Sequence, residues 1–168
     1  VRVLMVAHSF PRAEGDVAGA FLWRLAQALT NRGHQVEVVA PADRGEVGAP
    51  ALGGVKVRRV RYAPAFRETI AYRGTMHRDV ARSPLSLLAF AGLLRAFRRA
   101  VAEACASGDF HLVHAHWWVP AGLAAAGAER RGRPLIITLH GTDVAVARAV
   151  PGGRAAMAAV LRRATAVT

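Results

Sequence analysis

Pro134-Leu135-Ile136-Ile137-Thr138-Leu139-His140-Gly141-Thr142-Asp143 is a continuous apolar run that stops at a polar turn. Aliphatic and β-branched residues without polar alternation suit a strand buried on both faces, as in a parallel sheet covered by helices. The His-Gly-Thr-Asp turn puts a titratable imidazole at that strand's carboxyl end, beside a backbone free to turn sharply. Open α/β sheets receive their ligands at this edge. A purely structural turn is the competing reading.

Outward from this stretch, strands and helices alternate. Phe110 to His114 predicts a strand, Ala121 to Arg131 a helix, Arg154 to Arg163 another helix, and Ala166-Val167-Thr168 the opening of a further strand. Toward the amino end, Val1 to Val6 predicts a strand. A helix follows from Gly19, with Phe21, Leu22, Leu25, Ala28 and Leu29 on one stripe and Gly33 as its stop. Val36 to Ala40 predicts the next strand, ended by Pro41. Asp43 to Gly54, rich in Gly and Pro, reads as a surface connection. Val55 to Tyr62 reads as a strand near an edge, because Arg59 and Arg61 share a face with Val55 and Val57. Pro64 to Arg82 has no clear period and predicts an irregular excursion. Ser83-Pro84 is a helix start, and Leu87, Phe90, Leu94, Phe97 and Val101 draw a stripe that ends at Gly108. Such alternation implies right-handed crossovers: an α/β fold with a mainly parallel sheet and helices on both faces, built as one domain across residues 1–168.

Composition narrows the function classes. The chain has 168 residues and is 53% hydrophobic, enough for one proper core and unlike a disordered or disulfide-rich sequence. A lone cysteine, Cys105, forms no internal disulfide and has no activating base near it in sequence, which suits a reducing compartment. No leader is expected before the strand at Val1, and the most apolar later run, Leu85 to Leu94, is far short of the ~20 residues needed to span a bilayer. A cytoplasmic location is expected. The net charge is +12, with 23 basic residues of which only Lys56 is lysine. That field attracts anions such as phosphate-bearing substrates or lipid headgroups. Codon bias toward Arg and Ala is the alternative source. No recognition-helix or aromatic-interleaved basic pattern accompanies the charge, so nucleic acid is not an expected partner. Arg95, Arg98 and Arg99 flank the stripe of the helix at 83–107. Peripheral contact with the inner face of a membrane is therefore a second location beside the plainer reading of a crossover helix with a solvated basic face.

Three turns carry candidate chemistry. After the first strand, His8 to Ala20 holds Asp16, Ala18 and Gly19 and opens into a helix, whose free N–H groups and dipole suit an anion; an ordinary flexible loop is the alternative. Next come His114-Ala115-His116-Trp117-Trp118. Alternation puts His114 and His116 on one face, but no carboxylate or cysteine cluster completes a metal set, and no metal or cofactor is expected. A polar pocket lined by His116 and an indole competes with a packed core histidine. The third turn supplies His140, Gly141 and Asp143. His140 is able to donate a hydrogen bond or balance charge, and Asp143 to orient a neighbour. No nucleophile elbow is present.

Together these segments resemble the amino-terminal domain of a family 4 retaining glycosyltransferase of GT-B architecture. The resemblance rests on Pro11 through Gly19 leading into Leu25-Ala26-Gln27-Ala28-Leu29, on Arg32-Gly33-His34-Gln35-Val36-Glu37-Val38, on His114-Ala115-His116-Trp117, and on Thr138-Leu139-His140-Gly141-Thr142-Asp143, in family order. It implies a Rossmann-like half of a GT-B fold. It also implies transfer of a sugar from a nucleotide-diphosphate sugar donor to a sugar, lipid-linked or phosphorylated acceptor, with retention and no obligatory metal. His140 would be the catalytic contact to the donor sugar. Asp16, Ala18, Gly19, His116, Trp117, Gly141 and Asp143 would be substrate-binding or supporting residues. The family commonly has Gly-Gly where this chain has Ala18-Gly19, which narrows backbone access. A carboxy-terminal nucleotide-sugar domain outside this chain would complete the enzyme, and this part alone would not turn over efficiently. Two other readings share the fold: a non-catalytic sugar or nucleotide-sugar binding module, and half of a nucleotide-sugar epimerase, for which Glu14 and Asp16 are the available carboxylates.

Overall fold

The computed structural model describes residues 1–168. Its strands are β1 (Arg2–Val6), β2 (Gln35–Pro41), β3 (Ala51–Leu52), β4 (Val55–Val60), β5 (Leu112–His116), β6 (Leu135–Thr138) and β7 (Ala166–Val167). They form one sheet in the order β3-β4-β2-β1-β5-β6-β7, parallel throughout except for the β3–β4 pair. The order steps outward in both directions from β1, so the loops after β1 and β5 leave a crevice between them at the sheet's carboxyl edge.

Side-chain alternation explains the two-sided cover. Val3 and Met5 of β1 join Val36, Val38, Val55 and Val57 in a cluster with Leu22 and Ala26 of α1 (Ala20–Asn31). Leu4 and Val6 point the other way and join Val113, Leu135 and Ile137 in a larger cluster with Leu93, Phe97, Ala100 and Val101. Those four belong to the long helix α3 (Pro84–Ser107), which follows α2 (Met76–Arg82). The chain then passes through a wide turn and the short α4 (Leu123–Ala125), then α5 (Thr142–Ala149) and α6 (Gly153–Leu161). The expected α/β, Rossmann-like sheet covered on both faces is what the chain forms.

α3 begins as the sequence indicates. Ser83 accepts a hydrogen bond from the Ser86 N–H at 3.4 Å, Pro84 fills the first helical position, and Gly108 closes the helix at φ 76°. Its seating depends on Gly92, where an added Cβ would lie 2.1 Å from the Tyr62 carbonyl oxygen. Backbone cannot swing aside as a side-chain tip can. Gly92→Ala is therefore expected to destabilise by roughly 1–3 kcal/mol, as other overpacking changes do, and to lower the melting temperature. An unchanged melting temperature would contradict this close seating.

Several expectations are corrected. The strand placed at Phe110–His114 runs instead from Leu112 to His116, because Val3 pairs with Leu112 and the His111 ring is taken up at the sheet's other edge, accepting the Arg2 N–H at 2.9 Å. The helix expected over Ala121–Arg131 is broken into the turn at Trp118–Gly122, α4, and a 3-10 turn at Glu129–Arg131. Gly127 and Gly132 interrupt the Ala-rich run, and Gly132 sits at φ 71°. Asp43–Gly54 is not wholly a loop: β3 pairs back on β4 through Gly53-Gly54, both at positive φ, as a tight hairpin requires. Pro64–Arg82 contains a 3-10 turn and α2, neither with a fully buried residue, so no stripe marked them. The inward faces also differ from the expected stripes. Phe21 and Leu25 of α1 are 50% and 37% exposed, and Leu87 of α3 is exposed while Ala89 and Leu93 are buried.

Candidate active site

Only three polar or charged side chains are buried: Glu68, His116 and Asp143. Glu68 is structural. Its carboxylate accepts hydrogen bonds from Arg61 Nε at 2.7 Å, the Tyr62 N–H at 3.1 Å and the Gly45 N–H at 2.7 Å, tying the loop after β2 to the end of β4. The other two lie together at the carboxyl rim. Burying polar groups is costly unless they are bonded, so their concentration there marks a place where packing yields to another requirement.

The rim is built from strand ends. His116 closes β5, and His140 stands two residues beyond β6; their rings meet with His116 Nδ1 and His140 Nε2 3.1 Å apart. His114, on the same side of β5, stacks on His116 with ring centres 4.2 Å apart and shares a 2.8 Å hydrogen bond between its Nε2 and the Thr138 hydroxyl. His8, from the turn after β1, meets Trp117 edge-on at 4.3 Å. Trp117 in turn lies 4.3 Å from the His140 ring centre. Phe21, in the first turn of α1, completes the wall 5.1 Å from His140 and 6.0 Å from Trp117. Thus the turns after β1, β5 and β6 converge, with half-buried His140 at their junction.

Asp143 holds this arrangement from beneath. One carboxylate oxygen accepts the N–H groups of His140 and Val144, each at 3.1 Å, and the other accepts the Trp118 N–H at 3.2 Å. The Trp118 indole N–H donates to the Asp143 carbonyl at 2.9 Å. Trp117 adopts φ 68° with ψ 139°, a positive-φ extended conformation that costs a bulky residue roughly 1–3 kcal/mol and persists only where surroundings enforce it. Its N–H donates to the Thr138 carbonyl at 2.9 Å and its indole N–H to the Thr142 hydroxyl at 3.3 Å. The twist keeps the indole against His140. Gly141, at φ 79° with open space where a Cβ would stand, leaves the backbone beside His140 exposed.

The loop after β1 is also organised. Gly19 sits at φ 73°, and a Cβ there would come within 2.5 Å of the Ser9 carbonyl oxygen, so only glycine lets α1 begin against Ser9-Phe10. Asp16 accepts from Arg12 Nε at 2.6 Å, and its other oxygen takes the Ala18 N–H at 3.0 Å. The Arg12 hydrogen bond leads the effects that push the Asp16 carboxyl down to about 2. Asp16 is thus a fixed brace of the loop, a poor candidate for abstracting a proton; Glu14 is exposed. Arg59 of β4 donates to the Phe10 and Pro11 carbonyls and, at 2.6 Å, to the Tyr72 hydroxyl, fastening the same loop to the sheet.

Burial, followed by repulsion between neighbouring rings, pushes the imidazoles down: His8 and His114 to about 4 and His116 to about 2. His140 is lowered too, by burial, with Asp143 opposing. The cluster is therefore neutral near pH 7, each ring a donor at one nitrogen and an acceptor at the other. No group of three or more His, Cys, Asp or Glu is disposed to hold a metal ion. What the rim offers is hydrogen bonding from a half-buried imidazole, exposed glycine backbone, and aromatic faces.

The structure brings together His140, Gly141, His116, Trp117 and Asp143, and sets Gly19 one residue from the start of the helix that carries Phe21. Asp16 and Ala18 lie further along that loop, bonded to each other. His8 and Phe21 belong to the site and escaped the sequence reading. His8 sits in a turn that folds back only in three dimensions. Phe21 reads in sequence as one more apolar residue of the α1 stripe, yet in the fold only Leu22 and Ala26 of that helix are buried and Phe21 is turned toward the rim.

Comparison with known proteins bears on the family and the fold. Residues 18–168 match the model of Glycosyltransferase Family 4. The chain is 32% identical over 146 residues to D-inositol 3-phosphate glycosyltransferase of Gordonia bronchialis, covering 82% of this chain and 28% of that protein. It is 33% identical over 148 residues to the enzyme of the same name from Mycolicibacterium vanbaalenii, covering 83% and 29%. The chain thus spans under a third of the length of these relatives. Among solved structures, sucrose-phosphate synthase of Thermosynechococcus elongatus matches 99% of this chain and 41% of its own, with TM-score 0.59 and 14% identity. The catalytic domain of starch synthase IV from Arabidopsis thaliana, bound to ADP and acarbose, matches 83% and 33%, with TM-score 0.50 and 16% identity. At such identities the structural likeness speaks for the fold, and the match to the family model across nearly the whole chain speaks for descent: this chain belongs to Glycosyltransferase Family 4.

Proposed function

We propose that the protein of which this chain is a part moves a sugar from a nucleotide-diphosphate sugar to an acceptor hydroxyl, with retention of anomeric configuration. The observation that carries the reading is the meeting of His140, Trp117 and Phe21 at the carboxyl rim, braced from below by His116 and Asp143. Aromatic faces and a neutral imidazole suit a sugar ring with its hydroxyls, and the start of α1 at Gly19 suits an anionic group. Family membership supports glycosyl transfer, and ADP bound to the starch synthase supports a nucleoside-diphosphate donor. The relatives' names favour a phosphorylated polyol among the sugar, lipid-linked and phosphorylated acceptors. The strongly basic composition is compatible with that choice.

In this reading the chain supplies one wall of a cleft, and a carboxy-terminal domain outside it holds most of the nucleotide. The chain alone then binds donor weakly and turns over poorly. Catalysis comes from orientation and from hydrogen bonds aimed at charge that develops between the anomeric carbon and the departing diphosphate. His140 makes the contact nearest that charge, Gly141 and Trp117 shape the pocket, and Asp16, Ala18 and Gly19 hold the loop that faces the donor or acceptor. The tying of Asp16 to Arg12 argues against the epimerase alternative. Incubating the intact protein with a panel of nucleotide-diphosphate sugars and inositol phosphate tests the proposal. A glycosylated product with the donor's anomeric configuration is expected. Tight donor binding without transfer or hydrolysis would favour the binding-module reading instead.

A further inference from the structure

His116 is withdrawn from solvent, yet only one of its ring nitrogens has a partner. Nδ1 meets His140 Nε2 at 3.1 Å, whereas Nε2 is enclosed with nothing to bond. Two neutral imidazoles joined nitrogen to nitrogen share a single hydrogen, so one ring donates and the other accepts. If His116 carried its hydrogen on Nε2, a buried N–H would be left without an acceptor, and His140 would have to donate from its own Nε2. If His116 carries it on Nδ1, the enclosed Nε2 is a bare lone pair and His140 Nε2 is the acceptor. Orphaned buried N–H groups are rarer than under-satisfied acceptors, so the second arrangement wins.

That choice fixes the other ring. With Nε2 accepting, the one hydrogen of neutral His140 sits on Nδ1, which has no protein partner and is not among the enclosed atoms. We infer that His116 is a positioning residue that locks His140 in its Nδ1–H tautomer, so that the accessible nitrogen of the rim is a hydrogen-bond donor. Neighbouring groups reinforce the lock without competing for it. The Asp143 carboxylate is occupied by the N–H groups of His140, Val144 and Trp118. The Thr138 hydroxyl is shared between His114 Nε2 and the Thr168 hydroxyl. His114 stacked on His116, and Trp117 against His140, resist rotation of either ring.

The use of that donor toward a sugar rests on the proposed transfer, but the tautomer does not, and the two are tested apart. Long-range proton–nitrogen correlation spectra of the intact protein, with isotope-labelled histidine and no substrate, distinguish the two tautomers directly. His140 and His116 are both expected to show the Nδ1–H pattern, although free imidazole side chains favour Nε2–H. An Nε2–H pattern at either ring would overturn the inference. His116→Asn, whose amide N–H reaches the place of Nδ1, is expected to keep His140 as Nδ1–H. His116→Phe, which keeps a ring but offers no donor, is expected to shift it mainly to Nε2–H. If His140 stays wholly Nδ1–H in the phenylalanine variant, His116 is not what positions it. Because the unsubstituted protein already tests the tautomer, failure of a variant to fold leaves the inference open to refutation. Absence of sugar transfer by the unsubstituted protein would count against the proposed function alone.

Discussion

Replacing His140 by alanine is expected to lower sugar transfer by the intact protein roughly 100- to 1,000-fold, the usual effect of removing one donor aimed at developing charge. The domain is expected to stay folded. The hydrogen bond that anchors this turn runs from the His140 backbone N–H to Asp143, and alanine keeps that N–H. The ring itself is half-buried and packs mainly on aromatic faces that remain. Turnover should fall more than apparent substrate affinity, because the interaction is made chiefly in the transition state. Asp143→Asn, by contrast, is expected to weaken both folding and activity, since it supports His140 and Trp118 together. Near-normal transfer by His140→Ala would remove the imidazole from the mechanism.

The second large effect is expected on acidification. In the unfolded chain the imidazoles take up protons near pH 6.5, whereas in the folded domain His8 and His114 do so only near pH 4 and His116 near pH 2. Between those limits the unfolded state binds more protons, so stability falls as pH drops below about 6.5, by about 1.4 kcal/mol per pH unit for each such group. With several neutral rings packed together, the loss by pH 5 is on the order of several kcal/mol, a large part of the ~5–15 kcal/mol that holds a domain folded. Circular dichroism across a pH series should show unfolding beginning between pH 6 and 4 in about that range, earlier than carboxylate titration alone would bring it. His114→Gln, which keeps a group able to bond Thr138 but does not titrate, should reduce the slope. A folded state indifferent to pH down to about 3 would show that the rings are solvated and the rim open.

These expectations depend on features that the amino-acid order announces to different degrees. Buried strands were plain wherever aliphatic residues ran without interruption, as in Leu135–Thr138 and Arg2–Val6. The sequence suggests β5 two residues too early because His114 and His116 look like a polar turn, whereas they are strand residues whose rings lie at the rim. α2 left no trace because it buries nothing completely. The Ala-rich segment after β5 has strong helical propensity, but its glycines let it break where tertiary packing requires a turn. At the site, residues adjacent to strand ends were readable because the sheet carries them to one edge. Their division of labour was not. His116 and Asp143 prove to be buried supports, Gly19 is required by crowding against Ser9, and His8 and Phe21 arrive only through loop folding that no local pattern encodes.

The histidines themselves permit the most direct test. Four of the seven lie at the rim, while His34 and His111 precede β2 and β5 at the opposite edge of the sheet and His77 lies in α2. Side-chain resonances of isotope-labelled histidine in the intact protein should be followed as a nucleotide-diphosphate sugar is added. His140 should shift most, with smaller changes at His8 and His116, while His34, His77 and His111 stay still. Saturable binding that leaves His140 unmoved, or that moves the opposite-edge histidines equally, would contradict the placement of an activated sugar at this rim.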